Sequence, residues 1–259
     1  MELELEGRTA IVTGASRGIG LACVRALAAA GAEVVAGARR GSDELAELAE
    51  STSVRAVEVD LAQADGPERL AAAAGGPVHI LVNNVGSAPA RPGGFAGITD
   101  QQWADTLTLN LLAAVRMTRA VLPGMVERGS GAIVNIGSVN AELPDPLVLD
   151  YSVAKAALHA FAKGLSKEIG PKGVRVNTVS PGPVATDLWL GENGIADSVG
   201  RATGAAPGQV REGAAAASAT GRFSRPEEIA DLVLLLASDA TANVTGSFFR
   251  IDGGLVPTW

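Results

Sequence analysis

The apolar run TAIVT at Thr9–Thr13 passes directly into Gly14-Ala-Ser-Arg-Gly18-Ile-Gly20 and from there into a helix-forming stretch, LACVRALAAAG. A strand that turns through glycines into a helix offers free backbone N–H groups, and the positive end of a helix dipole, to an anion. Glycines also let the backbone approach a pyrophosphate closely. A glycine triplet alone is often only a tight turn. Set between a first strand and a first helix, it points to dinucleotide binding.

The same rhythm continues along the chain. Short β-branched runs at Thr9–Thr13, Glu33–Ala36, Arg55–Val59, Ile80–Asn83, Ala132–Ile136, Arg175–Val179 and Phe248–Ile251 are mostly separated by stretches long enough for a helix. Parallel neighbours need such crossovers, so the pattern predicts an α/β, doubly wound Rossmann fold: a seven-stranded parallel sheet with helices on both faces. Runs such as AIV and ILV are continuous, as strands buried on both faces require. Capping-box pairs, Thr99 with Gln102 and Ser224 with Glu227, mark two helix starts. The first helix is expected over Thr99–Arg128. After Pro226, Ile229, Leu232, Val233 and Leu236 form one stripe and Leu234 and Leu235 lie opposite, which predicts a subunit interface. No repeat or linker interrupts residues 1–259, so one domain is expected. Its least regular stretch, Gly191–Gly221, falls in a 187–221 segment read as a substrate loop or lid, with a floppy surface excursion as the alternative.

Composition narrows the function classes. With 47% hydrophobic and 19% charged residues the chain can bury a core, and with 3% aromatics that core must be Ala, Val, Leu and Ile. Net charge −7 leaves no basic footprint for nucleic acid. The lone cysteine, Cys23, is expected in the core and fits a reducing cytosol. MELELEG lacks a signal-peptide layout, and no uninterrupted apolar run approaches the ~20 residues of a membrane span, so a soluble cytoplasmic protein with no membrane partner is expected. His79 and His159 have no metal-ligand partner at useful spacing; both are read as structural, and no metal is expected.

The spacing G-x-x-x-G-x-G, opened by Thr13, resembles that of the short-chain dehydrogenase/reductase family in its compact single-domain form, the kind typified by 3-oxoacyl-(acyl-carrier-protein) reductases. The likeness extends over nearly the whole chain. Asn83-Asn84-Val85-Gly86 is similar to the family's N-N-A-G, and Asn110, Ser138, Tyr151 and Lys155 fall in the order of its catalytic tetrad. Pro181-Gly182 with Thr186 resembles the segment that holds the nicotinamide carboxamide. The resemblance implies cofactor contacts at Gly14, Ser16, Arg17, Gly18, Ile19 and Gly20. It implies further contacts at Asp60 and Leu61 near the adenine, at Asn83 and Gly86, at Tyr151 and Lys155, and at Pro181, Gly182, Val184 and Thr186. It also implies a homotetramer (or homodimer) built on the 99–128 and 151–170 helices.

Cofactor choice is read from the end of the second strand. Members of the family that use NAD usually carry an acid there; this chain has Ala38 followed by Arg39 and Arg40, with Arg17 in the glycine turn. Guanidinium groups beside a 2′-phosphate give charge-assisted forked hydrogen bonds, so NADP(H) is expected over NAD(H). The alternative is that Arg39 and Arg40 are solvated surface charges.

Tyr151 is the chain's only tyrosine and precedes Lys155 by four residues, so phenol and ammonium share a helix face. A nearby cation is expected to lower a phenol that normally ionises near ~10, making Tyr151 an acid for carbonyl reduction and a base for alcohol oxidation. Ser138 ends a strand and can hold the substrate oxygen. In the family, the Asn110 position anchors a water that connects the lysine to solvent.

The predicted activity is NADP(H)-dependent ketone–alcohol interconversion. The competing reading is a catalytically silent nucleotide-binding sensor or scaffold. An enoyl reductase is disfavoured by the tyrosine–lysine spacing, an epimerase by length, and a metal-dependent hydrolase by the missing ligand cluster. Substrate contacts are expected in Ser87–Gly97, Ala141–Leu149 and Asp187–Gly221. Arg91 is either a receiver for an anionic group or an exposed loop arginine, and Trp189 a lid aromatic or a core plug. The tail, Leu255–Trp259, is expected to reach a neighbouring subunit's site.

Overall fold

The computed structural model describes residues 3–192 and 194–258, without the side chain of Ala202. Its strands are β1 (Thr9–Thr13), β2 (Glu33–Ala38), β3 (Val54–Glu58), β4 (Ile80–Asn83), β5 (Gly131–Ile136), β6 (Val174–Pro181) and β7 (Phe248–Ile251). They form one parallel sheet in the order β3-β2-β1-β4-β5-β6-β7. The order reverses between β1 and β4. Such a switch point opens a crevice at the strand carboxyl ends, where ligands bind in open α/β sheets.

Strand residues alternate between two cores, as the continuous apolar runs require. Val12, Val34 and Val82 face a core shared with α1 (Gly18–Ala29) and α10 (Pro226–Ala237). Ile11, Val35 and Leu81 face the other, with Met117, Val121 and Met125 of α5 (Ala113–Arg128). Strand ends differ slightly from expectation. β2 continues through Gly37 and Ala38 because both pair with β3, and β6 reaches Pro181 because β7 accompanies it.

The helix expected over Thr99–Arg128 has a defect in its middle. Following α2 (Asp43–Ser51) and α3 (Gly66–Ala72), α4 (Asp100–Leu107) is capped as predicted: Thr99 N–H donates to Gln102 Oε1 at 2.9 Å, and Gln102 N–H to Thr99 Oγ1 at 3.2 Å. Between α4 and α5 the chain widens into a π turn at Thr108–Leu112. Such bulges frequently mark functional sites. By length and composition alone residues 100–128 match a membrane-crossing helix, but their apolar side chains at 117, 121 and 125 are buried in the core.

Two expectations change. The capping box placed at Ser224 and Glu227 lies one residue later, where Arg225 N–H donates to Glu228 Oε2 at 2.7 Å. Ser224 is withdrawn because its backbone pairs with Pro183 and Ala185. The second change is in 187–221, which is largely helical. After α6 (Leu149–Ile169), it contains α7 (Asp187–Leu190), α8 (Ile195–Thr203) and α9 (Pro207–Ala216). Alanine favours helix even without an apolar stripe; Pro207 starts α9, and Gly204 closes α8 at φ +77°. On α10, Leu234 packs against the same core as Ile229 and Val233, so part of the supposed second stripe is satisfied within the chain.

Candidate active site

A cavity of about 1260 Å³ runs along the carboxyl edge of the sheet, from the glycine turn past Tyr151 to α7–α9. Its first end is fixed from below by Thr13 and Asn84. Thr13 Oγ1 accepts Asn84 N–H at 2.9 Å and Val85 N–H at 3.0 Å. Asn84 Nδ2 donates to the Thr13 carbonyl at 2.9 Å and to Gly14 at 3.1 Å. These bonds hold the turn open. Gly14 sits at φ +64°, and a Cβ on Gly20 would lie 2.2 Å from the Gly14 carbonyl oxygen, so side chains are excluded where the turn meets the helix. Arg17 precedes α1 without a side-chain cap, and the first turn carries no acid. The exposed amides of this helix start suit a diphosphate.

Gly14, Ser16, Arg17, Gly18 and Ile19 border the cavity, while Gly20 shapes the turn from behind. Arg39 and Arg40 leave β2 at the cavity rim, and Asp60 and Leu61 lie across from them. Arg17 borders the same cavity and lies 3.7 Å from Asp187; both side chains are mainly exposed, so the pair is worth only ~0–1 kcal/mol. Gly86, Pro181, Gly182, Val184 and Thr186 all border the cavity. Asn83 does not. Its amide points into the interior, donating to Asn135 Oδ1 at 2.9 Å and Thr118 Oγ1 at 3.2 Å. Strand alternation separates the two asparagines, and the one facing the cleft is Asn84.

Ser138, Tyr151 and Lys155 meet in the middle of the cavity. Ser138 lies just beyond β5 and accepts Asn140 N–H at 3.1 Å. Tyr151 and Lys155 occupy successive turns at the start of α6. The expected direction of the phenol's shift is reversed: burial pushes Tyr151 above its ordinary range, and a hydrogen bond with Ser138 opposes this only in part. Lys155 does not bring it down, because the ammonium is held elsewhere. Its Nζ donates to the Ile136 carbonyl at 2.7 Å and stands 5.6 Å from the tyrosine ring centroid. Burial drives Lys155 itself down to about 8.

Asn110 lies behind this trio rather than in the cavity wall. It is buried within the π turn, where Nδ2 donates to the carbonyls of Thr106 (3.0 Å) and Ser87 (3.1 Å), while Oδ1 accepts Ser87 N–H at 3.1 Å. A Cβ on Gly86 would lie 2.7 Å from Asn110 Oδ1 and 3.7 Å from Lys155 Nζ, so that glycine keeps space between them.

All three segments expected to meet substrate contribute to the far end, through Ala88 and Ala90, Leu143–Val148, and residues of α7–α9. Arg91 fits neither earlier reading. It is largely buried and grips the buried Asp150 carboxylate at 2.6 Å, with Thr106 Oγ1 donating to the same oxygen at 2.7 Å. Burial alone would raise the Asp150 carboxyl, but hydrogen bonds from Arg91 and Thr106 hold it below the ordinary range. Trp189 borders the cavity and stands edge-on to Phe223 at 5.4 Å. The tail folds onto its own chain: Leu255 borders this cavity, while Trp259 lies outside the described residues.

The remaining singled-out groups lie away from the cavity. His79 Nδ1 accepts Thr9 N–H at 3.0 Å. His159 is stacked on Phe248 with Nε2 3.0 Å from Ser180 Oγ, and burial drives it down to about 4. Cys23 is fully buried, which pushes its thiol up to about 12.

Asn84 and Ser42 are contributors the sequence reading missed. Ser42 caps α2 and donates to the Ser16 carbonyl at 2.6 Å, tying that helix to the glycine turn. A serine two residues before the start of the ELAELAE pattern was the available signal.

Residues 14–256 match the family model described as Enoyl-(Acyl carrier protein) reductase. The chain is 36% identical to L-xylulose reductase of Bos taurus, over the full length of both proteins. It is 34% identical to the 3-oxoacyl-(acyl-carrier-protein) reductase of Escherichia coli (strain K12), covering 98% of this chain and 99% of that protein. Among solved structures, L-sorbose reductase from Gluconobacter frateurii, complexed with NADPH and L-sorbose, superposes with a TM-score of 0.90 at 33% identity over the whole of both chains.

Proposed function

The chain belongs to the short-chain dehydrogenase/reductase family of oxidoreductases, and on that premise we propose that it interconverts a ketone and a secondary alcohol using NADP(H). The observation that carries this reading is the meeting of Tyr151, Ser138 and Lys155 in the same cavity as the uncapped glycine turn.

When bound, the nicotinamide supplies hydride to the carbonyl carbon. The chain supplies the rest. Tyr151, kept protonated by its burial, donates its proton to the carbonyl oxygen, and Ser138 holds that oxygen as negative charge develops. Lys155, anchored on the Ile136 carbonyl, holds the nicotinamide ribose. Asn110 fixes the Ser87 backbone and leaves the Gly86 gap open, supporting proton return through Lys155. Gly14, Ser16, Gly18, Ile19 and the α1 amides receive the diphosphate, with Gly20 holding the turn's shape; Asp60 and Leu61 flank the adenine. Gly86, Pro181, Gly182, Val184 and Thr186 border the nicotinamide half.

NADP(H) is preferred over NAD(H) because Ala38 stands where the acid is expected and Arg39 and Arg40 follow it, and the loose Arg17–Asp187 pair is easily exchanged for a phosphate. The chain acts as one catalytic domain, with 187–221 covering the substrate. Its setting is cytoplasmic. Its assembly is a homotetramer (or homodimer) through the 99–128 and 151–170 helices, whose Leu112 and Val153 remain exposed. NADPH consumption against a diverse ketone panel tests the reading. Binding of NADPH with no turnover of any ketone contradicts it.

A further inference from the structure

The far end of the cavity differs in chemistry from the cofactor end. Beyond Tyr151, its wall includes Leu143, Val148, Trp189, Ile195, Val199 and Val210. Trp189 is fixed there by its edge-on contact with Phe223. Two polar acceptors nearby are already engaged. Asn140 Oδ1 accepts from Ser138 Oγ at 3.1 Å, and Asp145 Oδ1 accepts Leu147 N–H at 2.8 Å.

Three guanidiniums carried by the surrounding segments have carboxylate partners. Arg91 is turned inward onto Asp150. Arg211 of α9 donates to the Leu190 carbonyl at 3.0 Å and lies 3.9 Å from Asp197, while its buried Nε has no hydrogen-bond partner among the described residues. Arg250 of β7 lies 3.5 Å from Glu142, next to the Leu143 wall. A substrate carboxylate or phosphate would meet carboxylates that already hold these guanidiniums. A polyol would leave hydroxyls against aliphatic side chains, and buried polar groups without partners are costly. An apolar ring system loses nothing on entry and gains from leaving water.

We infer that the substrate is a bulky, uncharged alicyclic ketone, or the corresponding secondary alcohol, that presents its single oxygen to Tyr151 and Ser138 and packs its hydrocarbon body under α7–α9. This rests on the ketone-reductase reading above. The step balances as ketone, NADPH and a proton giving secondary alcohol and NADP⁺: the carbonyl π bond breaks, a C–H bond forms with the hydride, and the oxygen takes the Tyr151 proton.

The test compares kcat/KM of the full-length protein, with saturating NADPH, for trans-1-decalone, L-xylulose and acetoacetyl-coenzyme A. The expected result is at least a tenfold preference for the decalone over both others. Trp189→Ala is expected to raise KM for the decalone about tenfold, with KM for NADPH unchanged. Equal or better efficiency with the ketose or the thioester overturns the inferred substrate class and leaves the ketone-reductase reading standing. No turnover of all three by protein that binds NADPH overturns both.

Discussion

Lys155 Nζ donates to the main-chain carbonyl of Ile136 at 2.7 Å, and so stands over the ring of Tyr151, 5.6 Å from its centroid, rather than against its hydroxyl. One hydrogen bond thus anchors the start of α6 to the end of β5, with the phenol and Ser138 in the same cavity. It also keeps an ammonium in a nearly dry place, which lowers its proton affinity.

That arrangement costs stability, with a definite sign. Lys155 titrates at about 8 in the fold against 10.5 ordinarily, so the unfolded chain binds more protons between those values and stability rises as pH climbs through that window. Below about 8 the full penalty applies, on the order of 3 kcal/mol. Lys155→Met is expected to unfold at a higher temperature than wild type at pH 7, to lose most turnover, and to show a stability advantage that shrinks toward pH 10.5. Thermal unfolding scans of both proteins across this range check it; an unchanged or lower Tm at pH 7 contradicts it.

Gly86 is expected to tolerate no side chain. A methyl there would lie 2.7 Å from Asn110 Oδ1, and Asn110 is held on both sides by Ser87 and Thr106. Gly86→Ala should lower kcat by about 10²-fold, as small misplacements near reacting groups do, while circular dichroism stays native. Near-wild-type kcat would show that the gap has no role.

The Arg91–Asp150 pair should matter for folding rather than for substrate charge. Arg91→Ala leaves Asp150 buried without its cation, which typically costs about 3–5 kcal/mol. Because the Asp150 carboxyl is held below its ordinary range, its contribution is present at neutral pH, above the unfolded value, and is lost as pH falls through the folded value. Urea titrations should therefore show the wild type losing stability on acidification more steeply than Arg91→Ala. Parallel curves would assign the pair no such role.

Arg39→Asp should move cofactor preference toward NAD(H) by at least tenfold in the ratio of kcat/KM values, because a carboxylate accepts from ribose hydroxyls and repels a 2′-phosphate. An unchanged ratio would make Arg39 a bystander.

The layered sheet and the glycine turn were legible because continuous apolar strands and strand–turn–helix junctions are local patterns. Tyr151 and Lys155 were legible because four residues on a helix fix a shared face. The misreadings arose where contacts are long-range. Asn83 and Asn84 look equivalent in sequence, and only strand alternation sends one to the interior and the other to the glycine turn. Arg91 reads as a loop arginine until a carboxylate 59 positions away claims it. The phenol's shift depended on burial and on where Lys155 points, neither of which spacing encodes. Helix α9 lacks the apolar stripe by which helices are recognised, and α8 carries only a short one at Ile195, Ala196 and Val199.

Replacing the phenol hydroxyl tests the central claim most directly. Tyr151→Phe, assayed by NADPH consumption with a turned-over ketone and by NADPH binding in parallel, is expected to bind NADPH within about twofold of wild type while kcat falls at least 10²-fold, the usual scale of a lost general acid. A variant that binds NADPH and keeps more than about a tenth of wild-type kcat would mean that another group delivers the proton.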